Sequence, residues 1–207
     1  MRGQARLPGV PPEIPGPDPR RGRPGPPQPE SGAVDPWLAE RLFAQRLVMV
    51  HGPVTSEVAS RTVAQLLALD GGAEPVRLHL SAPDGELDAV FALVDGVELM
   101  RTPVHAVVTG ELGGAALGVL TAVTRRTAYP HARFRLAEPR VAEVTGTADQ
   151  IVGQASRHLQ LLEELIIRLA EVTGTPRSRV ETDLSDGRLM SAAEAVEYGL
   201  IQEITGR

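Results

Sequence analysis

The stretch Gly110-Glu-Leu-Gly-Gly-Ala-Ala-Leu-Gly118 follows one apolar run and opens another. Glycine-rich turns of this kind, set between a strand and a helix, carry nucleophiles and oxyanion-binding amides in α/β enzymes, because bare backbone can aim N–H groups at a developing negative charge. This turn holds neither Ser, Thr nor Cys, so it can shape a site without supplying an attacking group. No Ser lies between Ser81 and Ser156; the neighbouring hydroxyls are Thr109, on the strand before the turn, and Thr121, two helical turns past it. Glu111 and Glu138 have the chemistry of general bases. With Arg125, Arg126, Arg133 and Arg135 close in sequence, solvated or ion-paired carboxylates are the expectation for both.

Composition removes other chemistries. Cysteine is absent, which excludes disulfides, thiolate catalysis and Cys-based zinc sites. His51, His79, His105, His131 and His158 are scattered with no His-x-x-x-His pair, so neither a metal nor a cofactor is expected. The formal net charge is −5, with no basic cluster beside aromatic residues, and nucleic acid is not an expected partner. No run of 18 apolar residues exists, and the arginine-bearing N-terminal segment lacks the apolar stretch of a signal peptide; no membrane partner and a cytoplasmic location are expected.

The elements that must hold the turn are readable from periodicity. Residues 1–36 contain 11 of the 18 prolines and little to bury, which predicts a disordered, Pro-rich arm ahead of one domain over residues 37–207. Leu47–Val50, Val76–Leu80, Val104–Thr109 and Arg133–Leu136 read as strands. Between them fall a helix capped by Thr55, a helix with Leu87, Val90, Phe91, Val94 and Val97 on one face, and a small-residue helix from Ala115 to Val123. This strand–helix alternation predicts an α/β fold with right-handed crossovers and a mostly parallel sheet. A long amphipathic helix is predicted from about Ala148 to Val172, capped by Thr147 and stopped by Gly174, with Ile151, Ala155, Leu162, Leu165, Ile166 and Leu169 on its stripe. Its length would carry it past a compact domain toward another subunit. Ser191-Ala-Ala-Glu194 has capping-box form and opens a short helix, followed by an apolar strand from Leu200 to Ile204.

"RLFAQRLVMVHGPV", "VAQLLALD", "VDGVELMRTPV", "MSAAEAVEYGLI" and the sequence from "VTG" to "EP" resemble, in order and spacing, the proteolytic subunit (ClpP) family of the Clp protease over residues 37–205, with a short deletion near Val123–Arg126. The resemblance implies a ClpP/crotonase-like spiral of strand-helix units with a protruding handle helix, assembled as two stacked heptameric rings and acting as a serine peptidase. Partners would then be copies of this chain, ClpP paralogues and a Clp ATPase.

Serine peptidase chemistry needs a hydroxyl, an imidazole to take its proton, a carboxylate to orient the imidazole, and amides for the oxyanion. By the resemblance, the nucleophile's position falls on Gly114, the base's on Ala137 and the orienting acid's on Gly187. A one-residue shift would offer Asp186 for the acid and Glu138 for the base, and neither is an imidazole. The family's Pro-Gly-Gly oxyanion loop reads Pro83-Asp84-Gly85, placing an acid where charge would develop; a turn or helix-cap role is the expectation for Asp84. Positions that help form the family's ATPase-docking pocket are Arg77, His79 and Leu99, less aromatic than the family's, so docking is expected to be altered. The resemblance thus implies a peptidase-inactive, structural or regulatory ring subunit. Two alternatives stay open: a crotonase-like acyl-CoA enzyme using Glu111 or Glu138, and a peptidase with relocated catalytic groups.

Overall fold

The computed structural model describes residues 36–139 and 146–206. The predicted arm lies outside the described residues up to its last residue, Pro36, where helix α1 (Pro36–Ala44) begins. Arg46, held at φ 57, turns the chain from α1 into β1 (Leu47–His51).

Three strand–helix units follow. The first is α2 (Ser56–Leu69), with Thr55 Oγ1 accepting from the Val58 amide, leading to β2 (Val76–Ala82). The second is α3 (Leu87–Glu98), leading to β3 (Val104–Gly113). The third is a 3₁₀ segment (Gly114–Gly118) with a single α turn, α4 (Val119–Ala122), leading to β4 (Arg125–Ala128). Then come β5 (Arg133–Leu136), the long α5 (Ala148–Thr173), α6 (Arg177–Ser185), β6 (Arg188–Ser191), α7 (Ala192–Tyr198) and β7 (Glu203–Ile204).

Among the described residues, seven strands form one sheet in the order β1-β2-β3-β4-β7, with β5 beside β3 and β6 beside β5. Every pairing is parallel except β5 with β6. Strand β3 forks: His105–Val108 pairs with β4, and Glu111–Gly113 pairs with β5. Its last residues therefore leave the main sheet and lead the chain into the glycine-rich turn.

The core lies between the sheet and α2, α3 and the C-terminal half of α5. Leu78, Leu80, Val90, Leu93, Leu112, Phe134, Leu165 and Leu169 are buried in one cluster. Helix α5 is divided along its length. Leu165, Ile166 and Leu169 are buried, whereas Ile151, Val152 and Leu159, nearer its start, are 43%, 64% and 63% exposed.

Some elements differ from the periodicity. The small-residue helix predicted for Ala115–Val123 is a 3₁₀ segment and one α turn ending at Ala122. The turn is wedged between two helices: a Cβ on Gly118 would lie 3.0 Å from both Leu165 Cδ1 and Val90 Cγ1, so the chain there stays thin and tightly wound. The last strand is only Glu203–Ile204, because Leu200 and Ile201 bond back to Ala195 at the end of α7 instead of joining the ladder.

Candidate functional site

The site is built where β3 ends. Strand β3 carries Gly110–Gly113, and the turn falls at Gly114, which sits at φ 53 with its backbone buried. A left-handed φ costs a residue with a Cβ about 1–2 kcal/mol, so this sharp strand-to-helix junction suits glycine. Of the neighbouring hydroxyls, Thr109 Oγ1 donates to the Leu80 carbonyl at 3.3 Å and Thr121 Oγ1 to the Gly118 carbonyl at 2.7 Å. Both are spent on backbone.

Facing Gly114 is the loop Pro83-Asp84-Gly85 between β2 and α3. The loop is fastened to Val54, whose amide donates to the Asp84 carbonyl at 3.1 Å and whose own carbonyl accepts from Glu86 at 2.9 Å. The Asp84 carboxylate stays inside the loop: its Oδ1 accepts the Gly85 N–H at 2.8 Å. A Cβ placed on Gly114 would stand 3.2 Å from Asp84 Cγ and well inside van der Waals distance of Oδ1. Of the turn or helix-cap role expected for Asp84, only the helix cap is corrected. Residue Glu86 occupies the N-cap of α3, and the Asp84 side chain lies over Gly114, in the volume a longer residue there would fill.

Ala137 and Gly187 are brought together by strand register. The antiparallel pair β5–β6 ends at Leu136 opposite Arg188, so the next step outward sets Ala137 against Gly187. On the other side of β5, Arg135 pairs with Gly113, which puts Gly114 at the same end. The fold therefore gathers Gly114, Ala137 and Gly187 at one sheet corner with Asp84 and Gly85. Of these, Gly187 is exposed and Ala137 half-buried.

The candidate carboxylates divide. Glu111 forms an ion pair with Arg135 across β3 and β5. Glu138 is exposed, with its amide donating to the Leu184 carbonyl at 3.1 Å, and Asp186 is an exposed residue at the end of α6. Sequence reasoning passed over Asp183, which is 4% exposed. Its Oδ2 accepts from Tyr198 Oη at 2.9 Å and from Arg179 Nε and Arg188 at 3.1 Å each. Burial alone would push this carboxyl up, but the Tyr198, Arg179 and Arg188 bonds outweigh it and hold it below the usual range. Burial and the same contact push the Tyr198 hydroxyl far up. The Arg179–Asp183 i,i+4 spacing was the one signal of this hub in the sequence. Asp183 fixes the turn from α6 into β6, and with it the place of Gly187.

On the outward face of the sheet, Arg77 and His79 alternate with the buried Val76, Leu78 and Leu80 of β2. Burial, helped by the positive charge of Arg77, lowers the basicity of His79, which meets Tyr129 edge-on at 6.4 Å. A cavity of about 430 Å³ opens at this end, lined by Ala44, Gln45, Arg46, Glu74, Pro75, Arg77 and His105. It takes in Arg77 but neither His79 nor Leu99; Leu99 lies at the end of α3, 70% exposed.

Comparison with known proteins bears on what this corner belongs to. The Clp protease family model matches residues 32–207. The ATP-dependent Clp protease proteolytic subunit 1 of Mycobacterium tuberculosis is 33% identical over 172 residues, covering 81% of this chain and 86% of that protein. The proteolytic subunit 1 of Mycobacterium leprae matches to the same extent, 33% over 172 residues with 81% and 86% covered. The proteolytic subunit 3 of Rhizobium johnstonii is 30% identical over 166 residues, covering 79% and 85%. No described helix is long and apolar enough to cross a membrane. With a forked parallel sheet ending in a glycine elbow, and similarity running over nearly the whole length of these relatives, the chain belongs to the Clp protease family, among homologues of its proteolytic subunit.

Proposed function

We propose that this chain is a noncatalytic subunit of a Clp protease assembly, placed in a heptameric or tetradecameric ring in the cytoplasm with copies of itself or with active paralogues. The observation that carries this reading is the residue at the elbow. Position 114 is glycine, and the two positions that the register sets beside it, Ala137 and Gly187, bring neither imidazole nor carboxylate. Attack on a peptide carbonyl needs a hydroxyl and a base together, and losing the set costs about 10⁶-fold in turnover. What supports a structural role is that the apolar faces are kept while the reactive side chains are not. An ATPase would meet a surface carrying Arg77 and His79 in place of aromatic residues, so docking through this subunit is weakened.

Purified chain is expected to leave a fluorogenic peptide uncut. Cleavage that a serine-directed phosphonate abolishes would overturn the proposal.

One observation favours a second reading, a peptidase with relocated groups. The β1–β2 register sets His51 beside Ser81, and Ser81 Oγ lies 2.5 Å from where a Gly110 Cβ would stand. If activity is found, Ser81→Ala separates the two: activity that survives it removes Ser81 as the source. For Glu111, the acyl-CoA alternative is disfavoured by its ion pair with Arg135.

A further inference from the structure

We infer that Asp84 and Gly114 form one coupled unit, in which the Asp84 carboxylate is a built-in occupant of the elbow that takes up the loop's amide and must be displaced by any side chain at position 114. This rests on the reading that the elbow is the nucleophile's place in the family, but it concerns the pairing of Gly114 with Asp84, which the lost triad does not explain.

Three features carry it. The Gly85 N–H, which the resemblance makes an oxyanion donor, is bonded to Asp84 Oδ1 at 2.8 Å, so the site supplies its own anion. The volume above Gly114 is held by the same carboxylate, with Cγ 3.2 Å from where a Cβ would stand. The loop has no room to back away. On one side a Gly85 Cβ would lie 3.0 Å from both Val54 Cβ and Val90 Cγ2, and on the other a Gly113 Cβ would lie 2.8 Å from the Pro83 carbonyl. Any side chain entering at 114 must therefore drive the Asp84 side chain out of its rotamer, break its bond to Gly85 and leave that amide without its acceptor. A shorter residue at 84 removes this steric conflict and leaves only the left-handed φ of position 114 to be met. In physical terms an acid at 84 favours glycine at 114, and a side chain at 114 is easier to place when residue 84 is small.

The test is a double-mutant cycle on the full chain, read as melting temperature, with Gly114→Ser, Asp84→Gly and the two combined. Gly114→Ser alone is expected to lower the melting temperature by roughly 5 °C. Asp84→Gly combined with it is expected to return at least half of that loss. Additive shifts, with the double no more stable than the sum of the singles, would overturn the coupling. Should Gly114→Ser fail to fold, a folded double upholds the proposal and an unfolded double overturns it. Peptide cleavage by the unaltered chain would remove the noncatalytic reading while leaving the outcome of this cycle unaffected.

Discussion

Asp183 shows how much of the site depends on one buried charge. Its carboxylate is nearly enclosed and accepts three hydrogen bonds, two of them from arginines that remain partly exposed. A carboxyl whose folded pKa is depressed contributes stability above its unfolded value, roughly 3.9, and loses it as pH falls through the folded value. The contribution of Asp183 is therefore complete near neutrality and vanishes only on the acid side. Asp183→Asn keeps the shape, forfeits the charge-assisted bonds and should cost about 2 kcal/mol at pH 7, or roughly 4–8 °C in melting temperature. The gap between wild type and variant should close as pH drops below about 4, which thermal unfolding across pH 3–7 measures. A constant gap would mean that the hub acts through packing alone. Beyond the Arg179–Asp183 spacing, this hub, like the Asp84–Gly114 contact, was not legible in the sequence. Asp84 and Gly114 lie 30 positions apart on different loops, and Tyr198 reaches Asp183 from another helix; no periodicity reports a contact made through space.

Elements were legible where local chemistry and burial agree. Helix α5 is capped at Thr147 by both halves of a capping box and stopped, as expected, by a left-handed Gly174, its last helical residue being Thr173, one past the expected Val172. Its 26 residues span roughly 39 Å at 1.5 Å per residue. What periodicity could not say is that the stripe is buried only from Leu165 onward. Strands β4 and β6 went unread because four residues, Arg-Arg-Thr-Ala in β4 and Arg-Leu-Met-Ser in β6, carry too little pattern, and their strand state comes from neighbours already in place. The division of α5 gives two contrasting predictions. Leu165→Ala, inside the core beside the elbow, should destabilise the chain by about 2–5 kcal/mol in chemical denaturation. Ile151→Asp with Leu159→Asp, on the exposed half, should leave the denaturation midpoint within about 0.5 kcal/mol of wild type and lower the assembly mass measured by light scattering. Unchanged mass would show that this half of α5 has no role in association.

At the scale of the whole molecule, the proposed role turns on what the chain does among its relatives. A ring subunit needs only its contact surfaces to assemble; under the proposed reading these would include the exposed apolar residues Ile151, Val152 and Leu159, none of which belongs to the elbow corner. Loss of chemistry and retention of assembly are therefore physically independent, and one can drift while the other is kept. Co-expression with active proteolytic subunits from the same genome, followed by native mass spectrometry, should give mixed rings containing both chains. In those rings peptide cleavage should fall in proportion to the number of subunits that this chain replaces. A chain that stays monomeric beside its paralogues would remove the ring-subunit reading. Mixed rings cleaving as fast per ring as the all-active assembly would instead place residual chemistry in this chain, and would turn attention to Ser81 beside His51 on the outward sheet face.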